Sequence, residues 1–125
     1  MMPPPVSSDI AVLVVDDEAL HRMLAVDIVQ DLGFTAVEAC DARTALIHLE
    51  LRRDIRIVFT DIQMPGLMDG LQLAVAIRDR WPPIELILTS GGQGIEEGDL
   101  PARGRFFGKP YDADQVKTAM RELAG

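Results

Sequence analysis

Short apolar runs alternate with segments of helical periodicity along most of this chain, and this alternation constrains the fold more than any other feature. Ile10 to Val15 is a continuous, largely β-branched apolar run, and Ile55 to Thr60 and Ile84 to Thr89 are mostly apolar runs of strand-forming residues. Such runs are typical of strands that are buried on both faces of a parallel sheet. The segments between them have the spacing of amphipathic helices. The pattern therefore predicts an α/β domain with a parallel sheet and helices on both faces.

The same alternation predicts the bounds of each strand and helix. Strands are predicted over Ile10–Val15, Phe34–Ala39, Ile55–Thr60, Ile84–Thr89 and Arg105–Gly108, and helices over Glu18–Leu32, Asp41–Arg52, Leu71–Arg80 and Asp112–Leu123. In the first helix, apolar residues at helical spacing are Leu20, Leu24, Ile28 and Leu32, with Met23 and Val26 beside them. Between Ser90 and Gly104, four glycines and a proline leave about one turn of helix, near Ile95 to Leu100. A further helix is expected there only in short or irregular form.

Length and charge limit the class of protein. A chain of 125 residues fits one domain, predicted over residues 9–125 after a disordered tail at 1–8. The net charge of -8 argues against nucleic-acid binding, which needs a basic face. The start of the chain has neither a signal peptide nor a membrane span, and a lone Cys40 after an apolar run is expected to be reduced and buried, which favours a cytoplasmic location. Since nothing follows the closing helix, output through non-covalent partners is expected.

Charged residues follow three of the predicted strands. Asp16 and Asp17 come after the first strand, Asp61 after the third, and Lys109 after the fifth. The carboxyl ends of parallel strands lie at one edge of a sheet, where ligands of open α/β folds bind. Three carboxylates at one edge raise one another's pKa values, and a divalent cation and a phosphoryl group would offset that cost.

Each of these residues has a chemical role that fits its type. Asp61 is the candidate nucleophile, because a carboxylate can attack phosphorus to give an aspartyl phosphate. Oxygen ligands suit Mg²⁺, to which the backbone carbonyl of Gln63 could contribute. The ammonium of Lys109 and the hydroxyl of Ser90 are suited to phosphoryl oxygens.

These motifs resemble the CheY-like receiver domain of two-component response regulators over about Ile10 to Leu123. The resemblance rests on the acidic pair Asp16-Asp17, on Asp61, and on the Met64-Pro65-Gly66 turn, Ser90-Gly91 and Lys109-Pro110. It implies a stand-alone, single-domain response regulator with a flavodoxin-like (βα)5 fold, a three-layer sandwich with strand order 2-1-3-4-5. It also implies a bacterial phosphoprotein that assists its own phosphorylation and dephosphorylation but is not otherwise an enzyme.

The resemblance further implies a phosphorelay. A phosphoryl group would pass from a phosphohistidine on a sensor histidine kinase or histidine phosphotransfer protein to Asp61. Mg²⁺ would be held by Asp17, Asp61 and the Gln63 carbonyl, and by Asp16 through water, while Ser90 and Lys109 bind the phosphoryl group. Ser90 and Phe106 would then switch binding to a downstream protein, and a phosphorylation-dependent homodimer is a further option.

The chain departs from the family pattern in three places. The turn Met64–Gly70 is one residue longer than the commoner form, which should alter the start of the third helix but not the site. Thr89 is an alternative to Ser90 as the switch hydroxyl, although Gly91 favours Ser90. The weak helix after Ser90 leaves the usual output surface in question.

Other functions are less well supported by the sequence. A flavin protein of this topology would need Ser, Thr and Gly donors where the chain has Asp16-Asp17-Glu18. A phosphatase with an aspartyl nucleophile would need an acid at the position of Gln63. A receiver-fold interaction module that is not phosphorylated in the cell remains open as the alternative. His21 and His48 are interpreted as surface residues.

Overall fold

The computed structural model describes residues 10–92 and 97–125, which form a five-stranded parallel sheet with helices on both faces. The strands are β1 (Ala11–Val15), β2 (Thr35–Ala39), β3 (Ile55–Asp61), β4 (Glu85–Ser90) and β5 (Gly104–Gly108). The α-helices within these residues are α1 (Ala19–Asp31), α2 (Ala42–Leu51), α3 (Gly70–Arg80) and α4 (Ala113–Ala124). The strand order β2-β1-β3-β4-β5 confirms the predicted flavodoxin-like topology.

Two hydrophobic clusters fix the helices to the sheet. One cluster packs Ala45 of α2 and Leu73 of α3 against side chains such as Leu13, and the other packs Val29 of α1 and Met120 of α4 against side chains such as Val14. Because successive side chains of a strand point to opposite faces, the apolar run of β1 supplies both clusters. The sheet is thus the middle layer of three, and its carboxyl edge is left for the connecting loops.

Aspartates define the starts of three helices. Asp41 accepts from the amide of Thr44 at 2.8 Å, as predicted for the N-cap of α2. Asp69 caps α3 through a reciprocal capping box with Gln72, and Asp112 caps α4. Side-chain acceptors at these positions satisfy amides that have no partner inside the helix.

Only part of the apolar stripe predicted in α1 is on the buried face. Leu20, Met23 and Leu24 are more than half exposed, whereas Ala25, Ile28 and Val29 are buried. α1 carries apolar residues over more than one face, so spacing alone did not select the face that packs. The helix therefore packs on the sheet through Ala25, Ile28 and Val29. Leu20, Met23 and Leu24 form an apolar strip on its outer side.

The connection between β4 and β5 contains a single short 3₁₀ turn, Glu97–Asp99, within its described part. The sequence predicted a weak helix over Ile95–Leu100, of which residues 95–96 lie outside the described residues. Arg78 ties the segment before β5 to the segment before β4, because its guanidinium donates to the carbonyl of Ala102 and also to those of Pro82 and Ile84. The backbone of this region is therefore fixed by a side chain from α3.

Three further expectations concern Cys40, the N-terminal tail and membrane-spanning helices. Cys40 is exposed, so the prediction that it is buried was wrong; it follows the last residue of β2, where the chain has left the sheet. The predicted disordered tail at residues 1–8, and residue 9, lie outside the described residues. Among residues 10–92 and 97–125, no helix has the length and apolar character needed to cross a membrane.

Candidate functional site

Three aspartates meet at the carboxyl edge of the sheet, as the sequence predicted. Asp61 is the last residue of β3, and Asp16 and Asp17 follow β1, its neighbour in the sheet. Carboxylate oxygens of the three residues lie within 4.8 Å of one another. Asp16 and Asp61 are each only 6% exposed, while Asp17 is open to solvent. The site therefore has a buried floor and an open side.

Lys109 joins this cluster from β5. Its Nζ lies 2.9 Å from Asp61 Oδ2 and 3.4 Å from Asp16 Oδ2. The Lys109 amide also donates to the carbonyl of Ser90 at 2.9 Å, which anchors the base of the side chain to the end of β4. The ammonium thus compensates part of the negative charge of two buried carboxylates.

Backbone amides orient the two buried carboxylates. The amide of Glu18 donates to Asp16 Oδ1 at 2.9 Å, and the amide of Gln63 donates to Asp61 Oδ1 at 3.0 Å. Each carboxylate therefore has one oxygen held by its own loop and the other directed to Lys109. Arg22 fixes the first loop further, because its Nη1 donates to the carbonyl of Asp16 at 2.9 Å.

The electrostatics of the site shift two pKa values. Burial raises the pKa of Asp16, and the nearby Asp61 raises it further, against the opposing effects of the Glu18 amide and Lys109. Burial alone would lower the pKa of Lys109, but its hydrogen bonds and Coulomb attraction to Asp61 and Asp16 raise it. The site thus disfavours one buried negative charge and retains its positive one.

Gly70, which the sequence placed only at the end of the Met64–Gly70 turn, lies directly against Asp61. A Cβ at this position would lie 1.8 Å from the carbonyl oxygen of Asp61. The Gly70 amide donates to the carbonyl of Ile62 at 2.9 Å, so the start of α3 packs directly on the end of β3. The Asp-Gly pair at the end of a proline-containing turn was the available signal, since close backbone approach requires glycine.

The hydroxyl candidates lie at the end of β4. Thr89 is the register partner of Asp61, and Ser90 is the last residue of the strand. Both are 2% exposed. Ser90 Oγ accepts from the amide of Gly92 at 3.0 Å, which leaves its own proton available for donation.

Phe106 pairs in register with Leu88 of β4 and packs, partly buried, against the cluster that contains α2 and α3. Its neighbour Phe107 belongs to the cluster on the other face. Phe106 therefore lies on β5, which β4 separates from Asp61 on β3, and the residue is partly exposed.

His21 is a functional candidate that sequence reasoning missed. The sequence interpreted it as a surface residue, but its Nδ1 lies 3.2 Å from Lys109 Nζ. Its side chain is 39% exposed, so it stands at the boundary of the site. Its position four residues after Asp17, one turn into the helix that starts at the site, was the only sequence signal.

The donor set suits a hard divalent cation. Within residues 10–92 and 97–125, it consists of carboxylate oxygens from two buried aspartates and one exposed aspartate. Small cations such as Mg²⁺ prefer oxygen ligands and retain several waters. A softer metal would favour nitrogen or sulfur ligands. The arrangement can therefore hold a cation beside the carboxylate of Asp61.

Comparison with known proteins assigns the class. Residues 12–121 match the family described as response regulator receiver domain. The chain is 32% identical over 117 residues to the chemotaxis protein CheY of Listeria monocytogenes, covering 90% of this chain and 96% of CheY. It is 36% identical over 121 residues to the sensor kinase CckA of Brucella abortus, covering 94% of this chain but only 13% of the kinase.

A solved structure agrees with the sequence matches. The response regulator protein TrrA of Thermotoga maritima, in complex with Mg²⁺ and BeF, superposes with a TM-score of 0.78 at 25% identity, covering 91% of this chain and 98% of TrrA. The fold and the acidic edge define a flavodoxin-like receiver. The chain belongs to the response regulator receiver domain family.

Proposed function

We propose that this receiver domain is a phosphoacceptor in two-component signal transduction, with Asp61 as the residue that is phosphorylated. The observation that carries the proposal is the environment of Asp61. Its carboxylate is buried among two other aspartates and an ammonium, with Lys109 Nζ at 2.9 Å. A structural ion pair needs only one aspartate, whereas a site for cation and phosphate needs this excess of negative charge together with a lysine.

The reaction would be an in-line displacement at phosphorus. A carboxylate oxygen of Asp61 attacks the phosphoryl group of a phosphohistidine on a partner protein, a P–O bond forms, and the P–N bond breaks to release the imidazole. Lys109 would bind one phosphoryl oxygen and the Ser90 hydroxyl another, so that charge on the transferred group is neutralised. The chain supplies positioning and electrostatics, and the partner supplies the phosphoryl group.

Mg²⁺ would be held by Asp17, Asp61 and the backbone carbonyl of Gln63, and by Asp16 through water. When bound, it would neutralise negative charge between the carboxylates and the phosphoryl group. The likeness to TrrA, which was crystallised with Mg²⁺ and BeF, supports this assignment. The relatives also support a histidine kinase as the donor, since one of them is a sensor kinase.

Incubation with Mg²⁺ and acetyl phosphate tests the assignment without a partner. We expect intact mass to detect one added phosphoryl group on the parent protein and none on Asp61→Asn. Asp79→Asn, an exposed aspartate on α3, is the matched control and should keep the adduct. An unmodified parent protein would favour the alternative, an interaction module of the same fold that is not phosphorylated.

The switch is the second part of the proposal. Phosphorylation would draw the Ser90 hydroxyl toward the phosphoryl group, and Phe106 would move with it and change the surface offered to a downstream protein. Amide NMR spectra before and after acetyl phosphate should show shifts at Phe106 in the parent and in Thr89→Ala but not in Ser90→Ala. Shifts that are lost in Thr89→Ala instead would assign the switch to Thr89.

A further inference from the structure

The ammonium of Lys109 has three N–H donors, and three acceptors surround it. Asp61 Oδ2 lies at 2.9 Å, His21 Nδ1 at 3.2 Å and Asp16 Oδ2 at 3.4 Å. Two of these acceptors belong to the acidic cluster, whose ligands change when a cation or a phosphoryl group binds. His21 is the one acceptor of the three that lies outside that cluster.

The contact defines the hydrogen-bonding state of the imidazole. A lysine ammonium can only donate, so Nδ1 must accept and the ring proton must be on Nε2. Glu18 Oε2 at 3.4 Å and Asp16 Oδ2 at 4.0 Å face the same nitrogen. A proton on Nδ1 could be shared with these carboxylates, but it would also point toward an ammonium only 3.2 Å away.

His21 also borders a groove beside Lys109. His21 and Lys109 both line a groove of about 720 Å³ between α1 and α4, together with Leu24 and Tyr111. Without the imidazole, the third N–H of Lys109 would be open to this groove. The side chain could then leave the carboxylates for solvent, because a lysine has several rotatable bonds and loses entropy when it is held.

We propose that His21 is a positioning residue for Lys109, and that its Nδ1 holds the ammonium at Asp61 while the carboxylates exchange partners during phosphorylation. The proposal rests on the proposed function, since it assigns a role within that reaction. It adds a residue on α1 to a site otherwise built from the ends of strands. His21 does not contact the transferred group, and it acts through Lys109.

The kinetic test compares three variants. His21→Leu removes the acceptor, His21→Asn keeps an acceptor oxygen on the same Cγ, and His48→Leu is the control on α2. At saturating Mg²⁺, the rate constant for phosphorylation by acetyl phosphate should fall about fivefold in His21→Leu, the effect of one hydrogen bond of typical net strength. His21→Asn should recover most of it, and His48→Leu should match the parent. The apparent Mg²⁺ affinity should change less than the rate does.

Several results would overturn the role. These are an unchanged rate in His21→Leu, a reduced rate that His21→Asn does not recover, or an equal loss of Mg²⁺ affinity. Nitrogen-15 NMR of the imidazole gives a second measurement that needs no phosphorylation, and we expect the Nε2–H tautomer with Nδ1 shifted by a hydrogen bond that Lys109→Met removes. A proton on Nδ1 contradicts the proposal. If the parent protein is not phosphorylated at all, the proposed function fails, and the NMR result still decides the contact.

Discussion

Lys109 Nζ and Asp61 Oδ2 lie 2.9 Å apart, although Lys109 follows β5 and Asp61 ends β3, and β4 separates these two strands in the sheet. The lysine side chain crosses the end of β4 to reach the aspartate, and its amide is tied to Ser90 on that strand. The ion pair therefore links three strands at the carboxyl edge. Lys109 contacts Asp61 and Asp16, and both also belong to the acidic cluster that could hold a cation. This shared use of the two carboxylates leads to the first prediction.

Removal of the lysine should strengthen Mg²⁺ binding. In Lys109→Met, the ammonium no longer competes for Asp61 and Asp16. We expect the affinity for Mg²⁺ in isothermal titration calorimetry to rise by about tenfold or more, because a unit charge about 4 Å away opposes a cation by several kcal/mol at an effective dielectric constant near 20. Lys117→Met is the control, since Lys117 pairs with Asp31 at 3.1 Å, outside the acidic cluster. Equal or weaker binding in Lys109→Met would show that the lysine does not compete with the cation.

Neutralising Asp16 should stabilise the metal-free protein at neutral pH. Folding raises the pKa of Asp16 above its ordinary 3.8, chiefly through burial, so its ionised form is less favourable in the fold than in the unfolded chain. The free-energy cost of ionising Asp16 in the folded protein lowers the stability. This cost is absent below pH 3.8, grows as the pH rises through the folded-state pKa, and is constant above that pKa. Asp16→Asn keeps an oxygen for the Glu18 amide and should raise the melting temperature at pH 7 by a few degrees.

The pH dependence distinguishes this effect from a general gain in packing. The difference in melting temperature between Asp16→Asn and the parent should shrink as the pH falls toward 3.8, whereas Asp79→Asn should show little change at any pH. Added Mg²⁺ should raise the melting temperature of the parent by mass action and that of Asp16→Asn much less. A gain that is the same at pH 4 and pH 7 would contradict the assignment to ionisation.

A methyl group at Gly70 should destabilise the protein, because it would clash with the backbone of Asp61. Gly70→Ala brings a carbon against the carbonyl oxygen of Asp61, a backbone atom that cannot move without shifting β3. We expect the free energy of unfolding in urea to fall by about 3 kcal/mol, the upper range for overpacking. In Gly98→Ala, whose Cβ would meet nothing within 4 Å, the free energy of unfolding should fall by much less. Similar losses in the two variants would argue against the close packing of α3 on β3.

Arg78 should be required for the segment before β5. Arg78→Met removes the donor from the carbonyls of Ala102 and Ile84 and leaves that of Pro82 to Arg103 alone, and we expect a loss of about 2–4 kcal/mol in unfolding free energy. Hydrogen exchange should accelerate at Gly104, whose amide bonds to Pro101 in the same segment. Arg80→Met, which removes an exposed ion pair with Glu50, should cost under about 1 kcal/mol. Unchanged exchange at Gly104 would contradict this role of Arg78.

The sheet and its helices could be predicted because their signals are local. The run of β1 indicates a strand that is buried on both faces, and Asp41 at the start of α2 indicates a cap, whatever the rest of the chain does. The face of α1 could not be predicted in the same way. Leu20 and Ala25 are both apolar, and which of them is buried depends on the docking of the whole helix.

The register of β3 gives a second example. Ala11 pairs with Ile55 and Val12 with Ile57, so an irregularity at Arg56 moves the rest of the strand by one position relative to β1. Ile55 and Ile57 consequently pack on opposite faces of the sheet. Alternation along the sequence predicts the same face for both, and only the pairing of the two strands reveals the change.

The sequence by itself determined that Asp16, Asp17, Asp61 and Lys109 lie at one edge of a parallel sheet, because strand direction and strand ends follow from local patterns. Only the tertiary structure decided how these charges meet. That Lys109 reaches Asp61, that His21 completes the contacts of the ammonium, and that Gly70 lies against the Asp61 carbonyl all depend on distances between elements far apart in the chain. Such distances are set by the packing of both helical layers on the sheet, which no local pattern contains.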